Sequence, residues 1–190
     1  MSDVPATGVL LAAGQGRRAG GPKALLDVGG VPLWQVRARA LQHAGLAHVV
    51  AVVHPAALPA SLVNVQLVAG DPDGSPLHSL QRALAVVAGP VVVHMVDGGA
   101  PTRATVARLH AQTLADPQAL AVRPVVVLPD ARVGGHPVWL TAAACDRLRA
   151  LDPAAHRLDH VLRDWGPRYV DVVVDDPAVR ANFNRDGVQR

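Results

Sequence analysis

Short apolar runs rich in valine recur along the chain, separated by segments rich in alanine, leucine and arginine. Most of these runs are continuous in apolar residues, which is typical of strands buried on both faces of a parallel sheet. Their β-branched residues favour strand over helix. The predicted strands lie at residues 9–13, 48–54, 63–68, 90–96, 122–128 and 169–174.

The segments between these runs predict helices. Pro32 suits a first helical position, Trp34, Ala38 and Leu41 form an apolar stripe, and Gly45 ends the segment. Further helices are predicted at residues 56–62, from Pro76 to residue 84, from an N-cap at Thr102 to residue 115, and at residues 141–151 and 156–165. Repeated strand–helix units of this kind predict an α/β fold.

Composition narrows the class of protein. The chain has 190 residues, 50% of them hydrophobic, which suits a single domain over residues 1–190. The net charge is +3 and no basic stripe is interleaved with aromatic residues, so no nucleic-acid partner is expected. Cys145 is the only cysteine, which excludes an internal disulfide. Neither a secretory signal nor a membrane span is predicted, so we expect a cytoplasmic enzyme without a membrane partner, its oligomeric state left open.

A glycine-rich basic loop follows the first predicted strand. Its glycines are Gly14, Gly16, Gly20 and Gly21, and its cations are Arg17, Arg18 and Lys23, the only lysine in the chain. Glycine permits positive φ, so the backbone N–H groups of such a loop can turn inward around an anion. A ligand of an open α/β sheet binds at the carboxyl ends of the strands. The loop therefore predicts a phosphate-bearing ligand.

Two common phosphate-binding motifs fit this loop poorly. Residues 14–19 satisfy the GxGxx(G/A) dinucleotide pattern, but residues 20–22, Gly-Gly-Pro, break the helix that the pattern requires. The second predicted strand also ends at His54, where that pattern needs an acidic residue for the ribose. A Walker A loop fails because Pro22 precedes Lys23 and Ala24 replaces the hydroxyl that binds Mg²⁺.

A third pattern fits at every position. Its elements are Leu11-Ala12-Ala13-Gly14, Gly16, Arg18, Gly20, Pro22-Lys23 and Leu25-Leu26. This loop resembles the signature of the nucleotidyltransferases that activate sugars, alcohols and molybdopterin. Within that superfamily the chain most resembles the MobA/MocA-like cytidylyl- and guanylyltransferases of molybdenum cofactor synthesis. The resemblance implies a single-domain, Rossmann-like three-layer α/β/α fold around a mostly parallel mixed sheet, of the nucleotide-diphospho-sugar transferase type.

Asp97 comes directly after the apolar strand predicted at residues 90–96. A carboxylate at the end of a central strand can hold Mg²⁺ against a triphosphate, although an Asp-Gly pair is also common in solvated turns. The family usually has Asp, one residue and then Pro, whereas here Gly98, Gly99 and Ala100 precede Pro101. This departure puts in question how the loop closes over the acceptor.

The resemblance assigns roles to four more positions. Gly74 and Ser79 lie in a segment that borders the nucleotide in the family, although Ser79 equally suits an ordinary first helical turn. His136, in a Gly-His-Pro turn that feeds an edge strand, is implied to contact the acceptor phosphate or to order that turn. Asn184, in the closing Asn-Phe-Asn segment, is implied to complete the Mg²⁺ site with Asp97, although composition alone equally suggests a disordered tail.

The two histidines His156 and His160 stand four residues apart in the last predicted helix, beside Asp159 and Asp164. This spacing can place two metal ligands on one helical face. No third and fourth ligand is evident, so a solvated helix face is the preferred interpretation.

The implied reaction is attack by an acceptor phosphate oxygen on the α-phosphorus of a nucleoside triphosphate, with release of pyrophosphate. A phosphate nucleophile is ionised at neutral pH and needs no general base. Arg18, Lys23 and Asp97 are the implied catalytic residues, and the implied nucleotide-binding residues are Leu11, Ala12, Ala13, Gly14, Gly16, Gly20, Gly74 and Ser79. Mg²⁺ is the implied cofactor, and the small acceptor is implied to be molybdopterin.

Ala13 favours CTP modestly over GTP, because LAAG accompanies cytidine enzymes of the family. Three alternatives remain. The chain could act on another alcohol phosphate or sugar phosphate, or it could be a nucleotide-binding relative without turnover. An NAD-dependent dehydrogenase is disfavoured by the loop proline and the missing ribose carboxylate.

Overall fold

The structure is a computed structural model, and it describes residues 5–16 and 20–182. Within these residues eight strands form one sheet. The strands are β1 (Thr7–Ala12), β2 (Val49–Val53), β3 (Val65–Ala69), β4 (Val91–Met95), β5 (Ala121–Leu128), β6 (Ala131–Gly134), β7 (Val138–Leu140) and β8 (Tyr169–Val173). The helices are α1 (Leu33–His43), α2 (Pro76–Leu84), α3 (Arg103–Ala115), α4 (Ala142–Arg149) and α5 (Leu158–Asp164).

The sheet is mixed and mostly parallel, in the order β3-β2-β1-β4-β7-β5-β6, with β8 also paired to β5. β3, β2, β1 and β4 are mutually parallel, so their carboxyl ends share one edge of the sheet. β7 runs antiparallel to both β4 and β5. Ala121 of β5 pairs with Leu140 of β7 and with Tyr169 of β8, so β7 and β8 flank β5 on opposite sides.

Two apolar cores cover the two faces of the sheet. Leu10 and Ala12 of β1 face one core, with α1 and α3, while Val9 and Leu11 face the other, with α2, α4 and α5. This alternation follows from the two-residue period of a strand. The three-layer α/β/α arrangement implied by the resemblance is confirmed.

Several elements differ from the sequence-based expectations. The helix expected at residues 56–62 is only a 3₁₀ turn at Pro55–Ala57, because Pro59 lacks the N–H that a longer helix needs and restricts the residue before it. β3 begins at Val65, after Asn64 adopts a positive φ of 58°. The last helix begins at Leu158, so His156 lies outside it and does not share a helical face with His160.

The glycine turn before His136 also differs from expectation. Residues 131–134 form β6, which pairs antiparallel with the end of β5 as a hairpin. The strand that follows, β7, is not an edge strand, because it lies between β4 and β5. In residues 5–16 and 20–182 no helix combines the length and the apolar character needed to cross a membrane.

Candidate active site

Lys23 and Asp97 meet at the carboxyl edge of the sheet. Lys23 begins a 3₁₀ turn after the glycine loop, and Asp97 lies two residues beyond β4. Lys23 Nζ lies 3.1 Å from Asp97 Oδ2, and the two side chains are 17% and 20% exposed. β1 and β4 are neighbours in the sheet, so the elements that follow them converge at this point. The structure therefore places two of the three predicted catalytic residues together.

The third predicted catalytic residue, Arg18, lies outside the described residues. Of the predicted loop glycines, Gly16 has φ +59°, and a Cβ there would overlap the carbonyl oxygen of Gly21. Gly20 has φ +76° but open space around it, and Gly14 has open space as well. The loop geometry thus requires glycine most strongly at position 16.

The predicted residues Leu11, Ala12 and Ala13 are all buried, at 4%, 2% and 3% exposure. The carbonyl of Leu11 accepts from Val96 N, and that of Ala12 accepts from His54 N. These contacts fix the root of the glycine loop against the adjacent strands. The methyl group of Ala13 packs directly on the backbone of Gly70, the residue after β3. A Cβ added at Gly70 would overlap Cβ of Ala13.

The loop after β3 contacts the glycine loop. Gln15 Nε2 donates to Asp73 Oδ1 at 2.8 Å. The predicted residue Gly74 lies in this loop, where a Cβ would come within 2.7 Å of His78 Nδ1. The other predicted residue of this segment, Ser79, is buried in α2, whereas Ser75 caps α2 and lines a cavity that opens beside Asp97. The structure thus brings Ser75 to the cavity, a position that the sequence did not single out.

The turn after Asp97 is packed against the end of the described chain. Gly98 forms a β-bridge with Asn182, and Gly99 N donates to the carbonyl of Ala181 at 3.1 Å. A Cβ at Gly99 would overlap the carbonyl of Ala178. The absence of a side chain at Gly99, one of the three residues between Asp97 and Pro101, permits this close approach. The predicted metal residue Asn184 lies outside the described residues, but Asn182 lines the same cavity as Asp97.

A buried residue, Asp176, holds the neighbouring turn in place. Its Oδ2 accepts from Thr102 N and from the hydroxyls of Thr102 and Thr105, the last at 2.6 Å. Burial would raise the pKa of this carboxyl, but hydrogen bonds, first from Thr105 and then from Thr102, lower it overall. Asp176 therefore ties the start of α3 to the residues that pack on Gly99.

Two histidines lie near the Asp97 turn, of which His94 is buried and His136 is partly buried. The predicted acceptor residue His136 borders the cavity and lies edge-on to His94, with ring centroids 6.1 Å apart. Neither ring nitrogen of His94 has a hydrogen-bond partner among the described residues. Burial, followed by the charges of His136 and Arg37, lowers the pKa of His94 to about 3. Burial also lowers the pKa of His136, while the charge of Asp97 opposes that effect.

Arg37 is a further charged residue that the sequence did not reveal. It is 9% exposed, and its Nε donates to the carbonyl of Val96 at 3.3 Å. Burial lowers the pKa of Arg37, and the charge of Asp97 opposes this shift. A polar residue inside an otherwise apolar helix stripe is the only signal that could have identified it. Arg37 fixes the backbone immediately before Asp97.

A cavity of about 830 Å³ opens beside Asp97. Its volume is in the range of small-molecule sites. Four arginines contribute to its lining. Arg123 lies on β5, Arg157 and Arg163 lie at the two ends of α5, and Arg180 follows β8. Arg123 Nε and Nη2 donate to Asp171 at 2.6 and 3.2 Å, and the Arg123 guanidinium lies 5.1 Å from the centre of the Tyr169 ring. The cavity lining thus carries more basic than acidic side chains, with Asp97 and Asp159 as its carboxylates.

The residues near Asp97 suit a divalent cation that takes few ligands from the protein and most of them from water and substrate phosphates. No group of three or more His, Cys, Asp or Glu side chains in residues 5–16 and 20–182 could enclose a metal ion. Mg²⁺ commonly binds one or two carboxylates and completes its shell with water and substrate phosphates. Asp97, partly accessible at the cavity, fits this mode of binding.

Comparisons with known proteins identify similar chains. The family model for a MobA-like NTP transferase domain matches residues 8–188. The homologue of Mycobacterium tuberculosis Rv0371c from Mycobacterium sp. strain JC1 is 25% identical, with a TM-score of 0.71 over 90% of this chain and 86% of that one. No curated protein matches the sequence.

Two further solved structures share the fold. Rv0371c from Mycobacterium tuberculosis H37Rv, in complex with manganese, is 22% identical, with a TM-score of 0.65 over 91% of this chain and 90% of that one. The 2-C-methyl-D-erythritol 4-phosphate cytidylyltransferase from Thermus thermophilus has the same identity of 22%, TM-score of 0.65 and coverages of 91% and 90%.

Proposed function

Since the chain belongs to the family of MobA-like NTP transferase domains and is a nucleotidyltransferase, we propose that it transfers CMP from CTP to a phosphate group of a small acceptor. A phosphate oxygen of the acceptor forms a bond to the α-phosphorus, the bond from the α-phosphorus to the bridging oxygen breaks, and pyrophosphate leaves. The observation that carries this proposal is the 3.1 Å contact between Lys23 and Asp97 beside the glycine loop.

Alignment and charge neutralisation are what this reaction needs from the protein. Loop N–H groups from Gly14 to Gly20, with Arg18 and Lys23, are proposed to hold the β- and γ-phosphates and the departing pyrophosphate. Lys23 is held by Asp97, so its ammonium is oriented before the nucleotide arrives. Arg37 supports this geometry by fixing the backbone carbonyl of Val96.

Mg²⁺ is proposed to bind Asp97, with Asn184 and Asn182 as neutral oxygen ligands on the other side. When bound, the ion neutralises charge on the α-phosphate. The bridge between Gly98 and Asn182 supports this arrangement, because it brings the end of the described chain next to the Asp97 turn. The manganese complex of a protein with the same fold is consistent with a divalent cation.

CTP is proposed over GTP because of Ala13. Its methyl group packs on the backbone of Gly70 at the root of the glycine loop, and the resemblance links the sequence Leu11-Ala12-Ala13-Gly14 to cytidine enzymes. The proposed acceptor is molybdopterin, whose phosphate would react at Asp97 while the rest of the molecule occupies the basic cavity. His136 is proposed to border the acceptor. A different alcohol phosphate or sugar phosphate as acceptor is the second candidate, since it would use the same loop.

The test is a screen for pyrophosphate release with CTP and GTP, each offered with molybdopterin and with a set of alcohol and sugar phosphates. We expect turnover with CTP and molybdopterin, and a loss on the order of 10²-fold for Lys23→Ala, because a preorganised contact to the phosphates is removed. Near-normal turnover of that variant would remove Lys23 from the mechanism.

The same assay examines the metal. Asp97→Asn is expected to raise the Mg²⁺ concentration needed for half-maximal turnover by roughly tenfold or more, because one charged ligand becomes neutral. Asp164→Asn, at an exposed residue of α5, is the matched control and is expected to leave that concentration unchanged. Equal effects of the two substitutions would refute the metal role of Asp97.

A further inference from the structure

One side of the cavity carries more positive than negative charge. Arg157 and Arg163 both bind the same carboxylate, that of Asp159. Arg180 lines the same cavity and has no ion pair within residues 5–16 and 20–182. We define these three arginines as the arginine wall. This part of the cavity lining therefore holds three guanidinium groups and one carboxylate, and the wall keeps an excess of two positive charges.

The hydrogen bonds of the wall leave donors available. Arg157 reaches Asp159 through Nε and Nη2, at 3.2 and 3.5 Å. Arg163 donates through Nε to the Asp159 carbonyl and through Nη2 to its carboxylate, at 3.0 and 2.9 Å. Neither Nη1 atom donates within the described residues. A guanidinium oriented by one carboxylate can therefore still bind a second anion through its remaining donors.

The other charges along the cavity are matched in pairs. Arg123 is paired with Asp171, and Lys23 is paired with Asp97. In the proposed reaction the reacting phosphate of the acceptor lies near Lys23 and Asp97, where the nucleotide phosphates and the metal ion would be held. The arginine wall belongs to different elements, the two ends of α5 and the 3₁₀ turn after β8, and the proposed chemistry does not use it.

We propose that the arginine wall binds a second anionic group of the acceptor, so that the acceptor carries one reacting phosphate and, separately, a second negatively charged group. This inference rests on the proposed function and narrows its substrate class to acceptors that are anionic at two positions. The wall side chains are well exposed, at 72% for Arg157 and 63% for Arg163, so solvent weakens each contact. The preference for a doubly anionic acceptor should accordingly be moderate, roughly tenfold.

A matched pair of probes tests this selectivity. In 6-phosphogluconate one terminal carbon is a carboxylate, whereas in glucitol 6-phosphate the same carbon is a hydroxymethyl group. The affinity of the whole chain for each probe is measured by isothermal titration calorimetry with Mg²⁺ present. Wild-type protein is expected to bind 6-phosphogluconate roughly tenfold more tightly. Equal affinities, or no measurable binding of 6-phosphogluconate, would overturn the inference.

Variants then locate the preference. The double variant Arg157→Gln, Arg163→Gln is expected to bind the two probes equally, and Arg180→Gln to reduce the preference in part. Arg163→Lys, which keeps the charge, is expected to retain most of it. Arg108→Gln, on the exposed face of α3 and outside the cavity, is the matched control. A preference that survives in the double variant, or that falls equally in the control, would refute the assignment to the wall.

Pyrophosphate release separates this inference from the proposed function. A chain that prefers 6-phosphogluconate through the wall but releases no pyrophosphate from any nucleotide would keep the inference and refute the reaction. A chain that releases pyrophosphate but binds both probes equally would keep the reaction and refute the inference.

Discussion

The buried His94 makes the free energy of unfolding depend on pH in a defined window. Burial, followed by the charges of His136 and Arg37, lowers its pKa from 6.5 to about 3. Between these two values the unfolded chain binds a proton at this position and the folded chain does not. The unfolded state is then favoured as the pH falls, so the free energy of unfolding decreases from pH 6.5 downward.

The magnitude follows from proton linkage. Each proton bound only by the unfolded state changes the free energy of unfolding by about 1.4 kcal/mol per pH unit. Lowering the pH from about 6.5 to about 4.5 should therefore remove about 2 kcal/mol through His94, and the lowered pKa of His136 adds to this loss. Asp176 adds a further loss of stability at still lower pH. Its pKa in the folded state lies under its ordinary value of 3.8, so this loss begins as the pH falls toward 3.8.

Urea unfolding followed by circular dichroism, repeated across this pH range, measures the effect. His94→Leu removes the titrating group, so its free energy of unfolding should decline by about 2 kcal/mol less than that of the wild type over the same range. Val93→Ala, a truncation in the same strand, is the control: it lowers stability at every pH and should keep the wild-type pH dependence. Identical pH dependence in wild type and His94→Leu would refute the reasoning.

Three further predictions concern backbone and anchor positions. Gly16→Ala should raise the Kd for CTP by roughly tenfold or more in calorimetric titration, because Cβ strains a left-handed residue of the loop; an unchanged Kd would contradict the loop geometry. Gly135→Ala should lower the free energy of unfolding by roughly 2 kcal/mol or more, because Cβ overlaps the carbonyl of Val179; a wild-type urea midpoint would contradict this contact. Asp176→Asn should cost about 2–3 kcal/mol, because the hydrogen bond from Thr105 loses its charged acceptor and one carboxylate oxygen that accepts from Thr102 or Ala178 becomes an N–H donor; a change below about 0.5 kcal/mol in urea unfolding would contradict its anchoring role.

The fold was largely predictable because its strands are built from β-branched residues. Runs such as Val49–Val53 and Val91–Met95 have no competing helical pattern, and they form central strands. The hairpin strand Ala131–Gly134 was missed, because its sequence lacks a β-branched run and it owes its pairing to β5. Pro59 was the signal that the short helix after the second strand would not extend.

The site was predictable only in part. The contact between Lys23 and Asp97 could be anticipated, because both follow strands that run parallel at the centre of the sheet. The family resemblance of the glycine loop is confirmed by the match over residues 8–188. The contacts of Arg37 and Asp176 could not be anticipated, because their partners are distant in sequence. The only local signal for Arg37 is a charged residue inside an apolar helix stripe, and none marks Asp176. The roles of the individual site residues stay predictions.

The bridge between Gly98 and Asn182 has a consequence for how the enzyme is made. A ribosome completes the central strands well before it reaches the segment that packs on the Asp97 turn. A nascent chain can therefore hold an ordered sheet while the Asp97 turn still lacks its contacts with Ala181 and Asn182. The Asp97 turn then reaches its final packing late in synthesis, only after the residues up to Asn182 have left the exit tunnel and folded back onto the sheet.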